Sequence, residues 1–169
     1  ARTRAGVAQP ALGAVEVALW RLRRSFGLQA DMMAGHSYGE FVALHAAGAF
    51  DFAALMALSA ARGRFIVDAA QAGGAELGTM AAVQALRKDV EAVIATIPGV
   101  IVANHNAPLQ SIISGTQAAV AQAVEALRQS GAEVTEIPVA AAFHSVLVQP
   151  AQAALAAMID ATPWWPNQV

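Results

Sequence analysis

The sequence predicts an α/β protein in two parts, an incomplete parallel sheet with flanking helices and a compact ferredoxin-like insert. Three observations carry this. Gly35-His36-Ser37-Tyr38-Gly39 stands between a short apolar run, Asp31 to Ala34, and an apolar helical pattern, Phe41 to Phe50. Strand, sharp turn and helix in that order are the layout of a nucleophile elbow. Between Gly74 and Pro138 the periodicity alternates as β-α-β-β-α-β, the split unit of ferredoxin-like domains. Finally, 57% of the 169 residues are hydrophobic and 13% are charged, which suits helices packed on a sheet and argues against disorder.

Taken in order, Val7 to Phe26 carries apolar residues at Val7, Leu12, Val15, Leu19 and Leu22, close to helical period. Arg21, Arg23 and Arg24 complement the dipole near its end, as a solvated face, and Gly27 stops it. Asp31 to Ala34 is expected as a short buried strand, Tyr38 to Ala47 as the helix after the elbow, ended by Gly48. Phe52 to Ala70 is a further helix containing Arg62-Gly63-Arg64. A glycine inside a helix costs about 1 kcal/mol against alanine, so its presence suggests a close backbone or ligand. Ala72-Gly73-Gly74 reads as a flexible break.

Beyond the break, Thr79 to Val83 reads as a strand, Arg87 to Ile97 as a helix, and Val100 to Asn104 and Ser111 to Ser114 as strands joined through Asn106-Ala107-Pro108. Thr116 to Gln129 is a helix stopped by Gly131, Glu133 to Val139 a last strand, and Ala151 to Ile159 a helix ended by Pro163. The domain reading is therefore residues 1–74 and 140–169 around an insert of 75–139. The basic Ala1-Arg2-Thr3-Arg4 start and the Asn167-Gln168-Val169 finish read as cuts through a larger protein.

Composition closes off several classes of function. A formal charge of −2 gives no electrostatic case for nucleic acid or an anionic membrane. Without cysteine there is no disulfide frame, thiolate catalysis or sulfur-ligated metal. No apolar run approaches the roughly twenty residues of a membrane span, and no signal-peptide apolar region follows the basic start. A cytoplasmic setting is expected. The four histidines lack ligand spacing, and no Gly-rich loop precedes a Lys-Ser or Lys-Thr pair, so neither a metal nor a nucleotide is indicated.

What remains is nucleophilic chemistry. Ser37 would project from the elbow over a helix N-terminus, whose unpaired N–H groups and partial positive charge suit a developing oxyanion. The plain alternative is a serine N-cap of an ordinary helix. A serine nucleophile needs a base. His36 is locked inside the elbow, His45 lies along the following helix, and His105 sits in an Asn-rich strand-end loop. His144, in Phe143-His144-Ser145 on a loop before a helix, is the histidine placed to serve.

These residues, in this order, resemble the acyltransferase domain of polyketide synthases, relatives of the malonyl-CoA:acyl-carrier-protein transacylase of fatty acid synthesis. Gly35-His36-Ser37-Tyr38-Gly39-Glu40 matches the family's Gly-His-Ser-x-Gly-Glu, and Gln9-Pro10-Ala11-Leu12 its upstream helix. Arg62-Gly63 stands at the family's spacing after the serine. Gly78 to Val83, Asn106-Ala107-Pro108 and Ile113-Ser114-Gly115 resemble its small subdomain, and Ala142-Phe143-His144-Ser145 its histidine motif. The wording Gly-His-Ser-Tyr-Gly-Glu also resembles the acyltransferases of enediyne and polyunsaturated fatty acid synthases.

The resemblance implies an α/β-hydrolase-like large subdomain and a ping-pong transfer. Ser37 attacks a coenzyme A thioester, His144 takes its proton, and the backbone N–H of Tyr38 donates to the oxyanion. The phosphopantetheine thiol of an acyl carrier protein then collects the acyl group, with no bound cofactor. Arg62 would grip the free carboxylate of a malonyl-type unit, while Phe143, His36 and Asn106 fall among the substrate-binding positions. Phenylalanine before the histidine points to malonyl over methylmalonyl. The usual malonyl motif has a histidine where this chain has Ala141. Partners implied are malonyl-CoA, a carrier protein and neighbouring synthase domains. The family's Gly-Gln-Gly strand and the group that orients its histidine match nothing here, so the chain by itself is expected to be weak or inactive.

Two rival readings are carried alongside. A serine esterase or thioesterase of the α/β-hydrolase kind needs an acidic residue between Ser37 and His144 to orient the base, and Asp51 and Asp68 lie on helices with no strand before them. A non-catalytic acyltransferase-like docking fragment would leave Ser37 unmodified.

Overall fold

The computed structural model describes residues 5–73 and 76–166. The basic start, Gly74 and the Asn167-Gln168-Val169 finish lie outside them. Packing divides the described residues into a helical unit, 5–65 with 153–166, and a sheet unit, 66–73 with 76–152.

The helical unit begins with α1, Ala5–Ser25, which carries Arg23 and Arg24 in its last turn and is closed by Gly27 at φ 79°. Helical period is present, but the buried face is Gln9, Gly13 and Val17, with Val7, Leu12, Val15, Leu19 and Leu22 exposed. Gly13 explains this choice of face. A Cβ there would run into the Tyr38 hydroxyl, so the bare backbone at Gly13 lets the elbow tyrosine pack against the helix. α2, Gly39–Ala46, and α3, Phe52–Gly73, complete the core with Val42, Phe50, Leu55 and Leu58, against which Met158 and Ile159 pack from α6, Gln152–Ala161. The Trp164 ring meets Phe50 edge-on at 5.1 Å, and the Trp165 N–H donates to Ala49 O at 2.9 Å.

Two expectations fail along this stretch of the chain. Asp31 to Ala34 is neither strand nor buried, and Met32 is 82% exposed. A strand is held by a neighbour's N–H and C=O groups, and no described residue of the helical unit is in a strand, so the expected parallel sheet is absent among the described residues. The break at Ala72-Gly73-Gly74 is also displaced, since α3 continues through Ala72 and Gly73.

The sheet unit contains the six expected elements in the expected order. They are β1, Thr79–Gln84; α4, Arg87–Ile94; β2, Val100–Ala107; β3, Gln110–Gly115; α5, Gln117–Gln129; and β4, Glu133–Ile137. The sheet is antiparallel throughout with spatial order β2-β3-β1-β4. Its core is Val83, Val90, Ile113, Val120 and Leu127, all essentially without solvent contact. α5 starts where Thr116 Oγ1 accepts from Ala119 N–H at 3.1 Å and stops before Gly131 at φ 91°. β2 runs further than expected. It takes in His105, Asn106 and Ala107, so the turn into β3 shrinks to Pro108 and Leu109.

Packing does not divide the chain at 74/75 and 139/140. The segment after β4 is tied to the sheet unit, with Ala142 N–H donating to Leu77 O and Ser114 Oγ to Phe143 O. A 3-10 turn, Val146–Ala151, then precedes α6, an element the sequence did not announce.

Candidate active site

The elbow is formed, and its two glycines are not equivalent. A Cβ on Gly35 would collide with the backbone of Gly39 and Glu40, whereas one on Gly39 would meet nothing within 4 Å. The turn is therefore sharp at its entry and open at its exit. Gly35→Ala is expected to destabilise the protein by about 1–3 kcal/mol. Gly39→Ala, at a helical position with ordinary φ, should be neutral or stabilising by up to about 1 kcal/mol. Denaturant midpoints for the two variants check this, and equal losses would show the turn to be symmetric.

The N-cap of α2 is Tyr38, so Ser37 stands one residue outside the helix, and the N-cap reading of Ser37 fails. Ser37 has φ 52°, and Gly39 N–H and Glu40 N–H close the turn onto His36 O at 3.0 Å and Ser37 O at 3.1 Å. Left-handed backbone is uncommon outside glycine and costs of order 1–3 kcal/mol where it is strained. Among the described residues two non-glycines adopt it, Ser37 and His144 at φ 61°. They are the two residues the sequence singles out as nucleophile and base.

A cavity of about 590 Å³ opens beside the elbow, lined among others by Glu16, Trp20, Gly35, His36, Ser37 and Val42. His36 is exposed and Ser37 half-buried. The Tyr38 side chain points the other way, into the core, where its hydroxyl meets Ser59 Oγ at 2.8 Å and Ser59 Oγ donates to Leu55 O at 2.6 Å. Arg62 follows Ser59 by one turn of α3. It is half-buried beside the buried Gly63, and Arg64 is exposed.

Burial holds the Arg62 guanidinium below the usual arginine value, while Glu40 and Tyr38 pull the other way. A half-buried guanidinium can receive an anion, while the Glu40 carboxylate nearby favours its charged form. Glu40 and Ser59 were not singled out by sequence. Their signals are weak, one acidic residue closing the motif and one serine three positions ahead of the arginine.

Burial also raises the Tyr38 phenol above its ordinary value; the Ser59 hydrogen bond opposes this, Glu16 adds to it, and Arg62 and the Gly13 backbone oppose it. The unfolded chain therefore ionises first, near pH 10, so the stability linked to this group is whole below that pH and lost as pH climbs through the higher folded value. Tyr38 is the sole tyrosine, so tyrosinate absorbance reports on it alone. The native midpoint should lie above 10 and fall to the ordinary value in denaturant. Coincident titrations would contradict the burial.

In the sheet unit, Phe143 is half-buried and His144 exposed. Asn106 lies exposed at the far end of β2 and donates to Gln110 Oε1 at 3.3 Å. The other histidines are engaged elsewhere. His45 Nδ1 is 2.9 Å from Phe50 O with its ring against Phe50 and Phe52, and His105, in a strand and not a loop, is 3.3 Å from Ser111 Oγ. Among the described residues no cluster of three or more His, Asp or Glu could hold a metal, and no helix is long and apolar enough to cross a membrane.

Residues 2–167 match the family model described as acyl transferase domain. Mycoketide-CoA synthase of Mycobacterium tuberculosis is 45% identical over 143 residues, covering 85% of this chain but 3% of the synthase. The acyltransferase domain of an iterative polyketide synthase in enediyne biosynthesis superposes with a TM-score of 0.86 at 32% identity, covering 98% of this chain and 43% of that one. A malonyl-transacylase solved with a type II polyketide synthase acyl-carrier protein superposes at 0.85 and 30% identity, covering 98% of this chain and 54% of that one. The chain thus spans about half the length of these solved relatives.

Proposed function

The chain belongs to the acyl transferase domain family, in the company of polyketide synthases and malonyl-transacylases, and on that premise we propose that it carries malonyl-type extender units. The donor is a coenzyme A thioester, the acceptor the phosphopantetheine thiol of an acyl carrier protein, and the intermediate an ester on Ser37. The observation that carries the reading is the left-handed backbone confined, among described non-glycine residues, to Ser37 and His144. Strain of this kind persists where function requires a set geometry.

In the first half-reaction, Ser37 Oγ attacks the thioester carbonyl while His144 takes the hydroxyl proton. The oxyanion of the tetrahedral intermediate accepts from Tyr38 N–H, aided by the positive end of α2. Collapse breaks the carbon–sulfur bond, and the imidazolium returns its proton to the departing coenzyme A thiolate. In the second half, His144 takes the proton of the carrier thiol, sulfur attacks the ester, and Ser37 leaves reprotonated. Arg62 grips the free carboxylate through two parallel hydrogen bonds, which favours diacid monothioesters over plain acyl groups. Phe143 fills the space an α-methyl group would need, favouring malonyl, and His36 and Asn106 are assigned to the substrate-binding surface. In this reading the acyltransferase works in the cytoplasm within a larger synthase.

The test is incubation of the intact protein with malonyl-CoA, followed by peptide mass spectrometry and addition of a phosphopantetheinylated carrier protein. A malonyl ester on the Ser37 peptide that disappears as the carrier gains it is the expected result. Rapid hydrolysis of simple esters with nothing passed to the carrier would instead favour an esterase, and an unmodified Ser37 a docking module.

A further inference from the structure

The loop that bears His144 is held from the sheet by a side chain to which the sequence assigns no role. Ser114, on β3, is fully buried. Its Oγ donates to Phe143 O at 2.8 Å, across 29 positions of sequence. That carbonyl belongs to the peptide plane whose other end is the His144 nitrogen, so fixing it fixes one side of the torsion that stands at 61°. The neighbouring bonds act the same way. Ala142 N–H donates to Leu77 O at 2.6 Å, Ser145 Oγ donates to Ala142 O at 2.7 Å, and Leu147 N–H donates to Ser145 Oγ at 3.3 Å. Gly78, at φ 69°, leaves no room for slippage. A Cβ there would stand 2.7 Å from both the Ala142 methyl and Leu147 Cδ1.

We propose that Ser114 is a positioning residue for His144, holding the Phe143–His144 peptide plane so that the imidazole is presented in one direction. This rests on the reading of His144 as the base. Left-handed backbone at a residue other than glycine is kept only where its surroundings over-determine it, and here the donor comes from a rigid central strand. Losing it lets the plane rotate. A misplaced base is expensive, since errors near 1 Å can cost on the order of 10²-fold in rate.

The test is a double-mutant cycle on single-turnover acylation of the intact protein by malonyl-CoA, using wild type, S114A, H144A and S114A/H144A. S114A is expected to lower the acylation rate by about 10- to 100-fold with KM for malonyl-CoA nearly unchanged. In the H144A background the same substitution should change the rate by less than about twofold. S114C, which keeps the volume and a weaker donor, should fall between and serves if S114A does not fold. Wild-type acylation by S114A overturns the proposal, as does an undiminished S114A loss in the H144A background, which would mark a merely structural role. If H144A itself keeps the wild-type rate, the base assignment is what fails, and the inference falls with it.

Discussion

Ser37→Ala should abolish malonyl loading and carrier transfer together, by about 10⁴–10⁶ in kcat. In the proposed mechanism both half-reactions pass through the same oxygen, so no partial route would remain when it is removed. The substitution is otherwise mild. Ser37 stands outside α2, and the turn around it closes through backbone groups of His36, Ser37, Gly39 and Glu40 that alanine retains. Alanine must still adopt φ 52°, so a small stability loss accompanies the catalytic one. Loading is read by mass of the intact protein, and folding by its thermal midpoint. Transfer at a measurable fraction of the wild-type rate would mean that another group carries the acyl chain.

Arg62→Ala should lower kcat/KM for malonyl-CoA by about 30- to 1,000-fold, or roughly 2–4 kcal/mol, while leaving acetyl-CoA untouched or improved. The size follows from burial. The guanidinium is half-buried, so a carboxylate brought to it competes with less solvent than at an open surface. Glu40 favours the charged form of that guanidinium. Arg62→Lys keeps the charge but gives up the planar fork and should fall between the two. Competition between malonyl-CoA and acetyl-CoA in one reaction is the direct measurement. Equal losses for both thioesters would remove Arg62 from the selection of substrate.

Where the sequence could be read, and where it could not, follows from how local each signal is. The sheet unit was legible because strand and helix periods alternate within short spans, with Gly131 and Thr116 marking the ends of α5. Asp31 to Ala34 misleads because a strand is a property of two segments, and four residues cannot announce whether a neighbour lies alongside. α1 showed its period but not its face. Its apolar stripe looks like the buried side, yet Gly13 and Val17 are buried, because Tyr38 packs where Gly13 has no Cβ. Gly35 and Gly39 look alike in the motif, and only the path of the chain separates them. The strain at His144 and the buried bond from Ser114 join positions far apart in sequence, and nothing in Ile112-Ile113-Ser114-Gly115 points 29 residues ahead.

The two outer strands of the sheet carry a consequence for how this protein keeps company with itself. β2 pairs on one side only, and its register slips twice against β3, between Val102 and Asn104 and again between His105 and Ala107. β4, on the opposite border, is five residues long and bears Glu133 and Glu136. Irregular hydrogen-bond spacing on one flank and anionic side chains on the other deny a template to an incoming strand. Crowded beside many identical copies, the described sheet offers an incoming strand two poor flanks on which to seed a fibril.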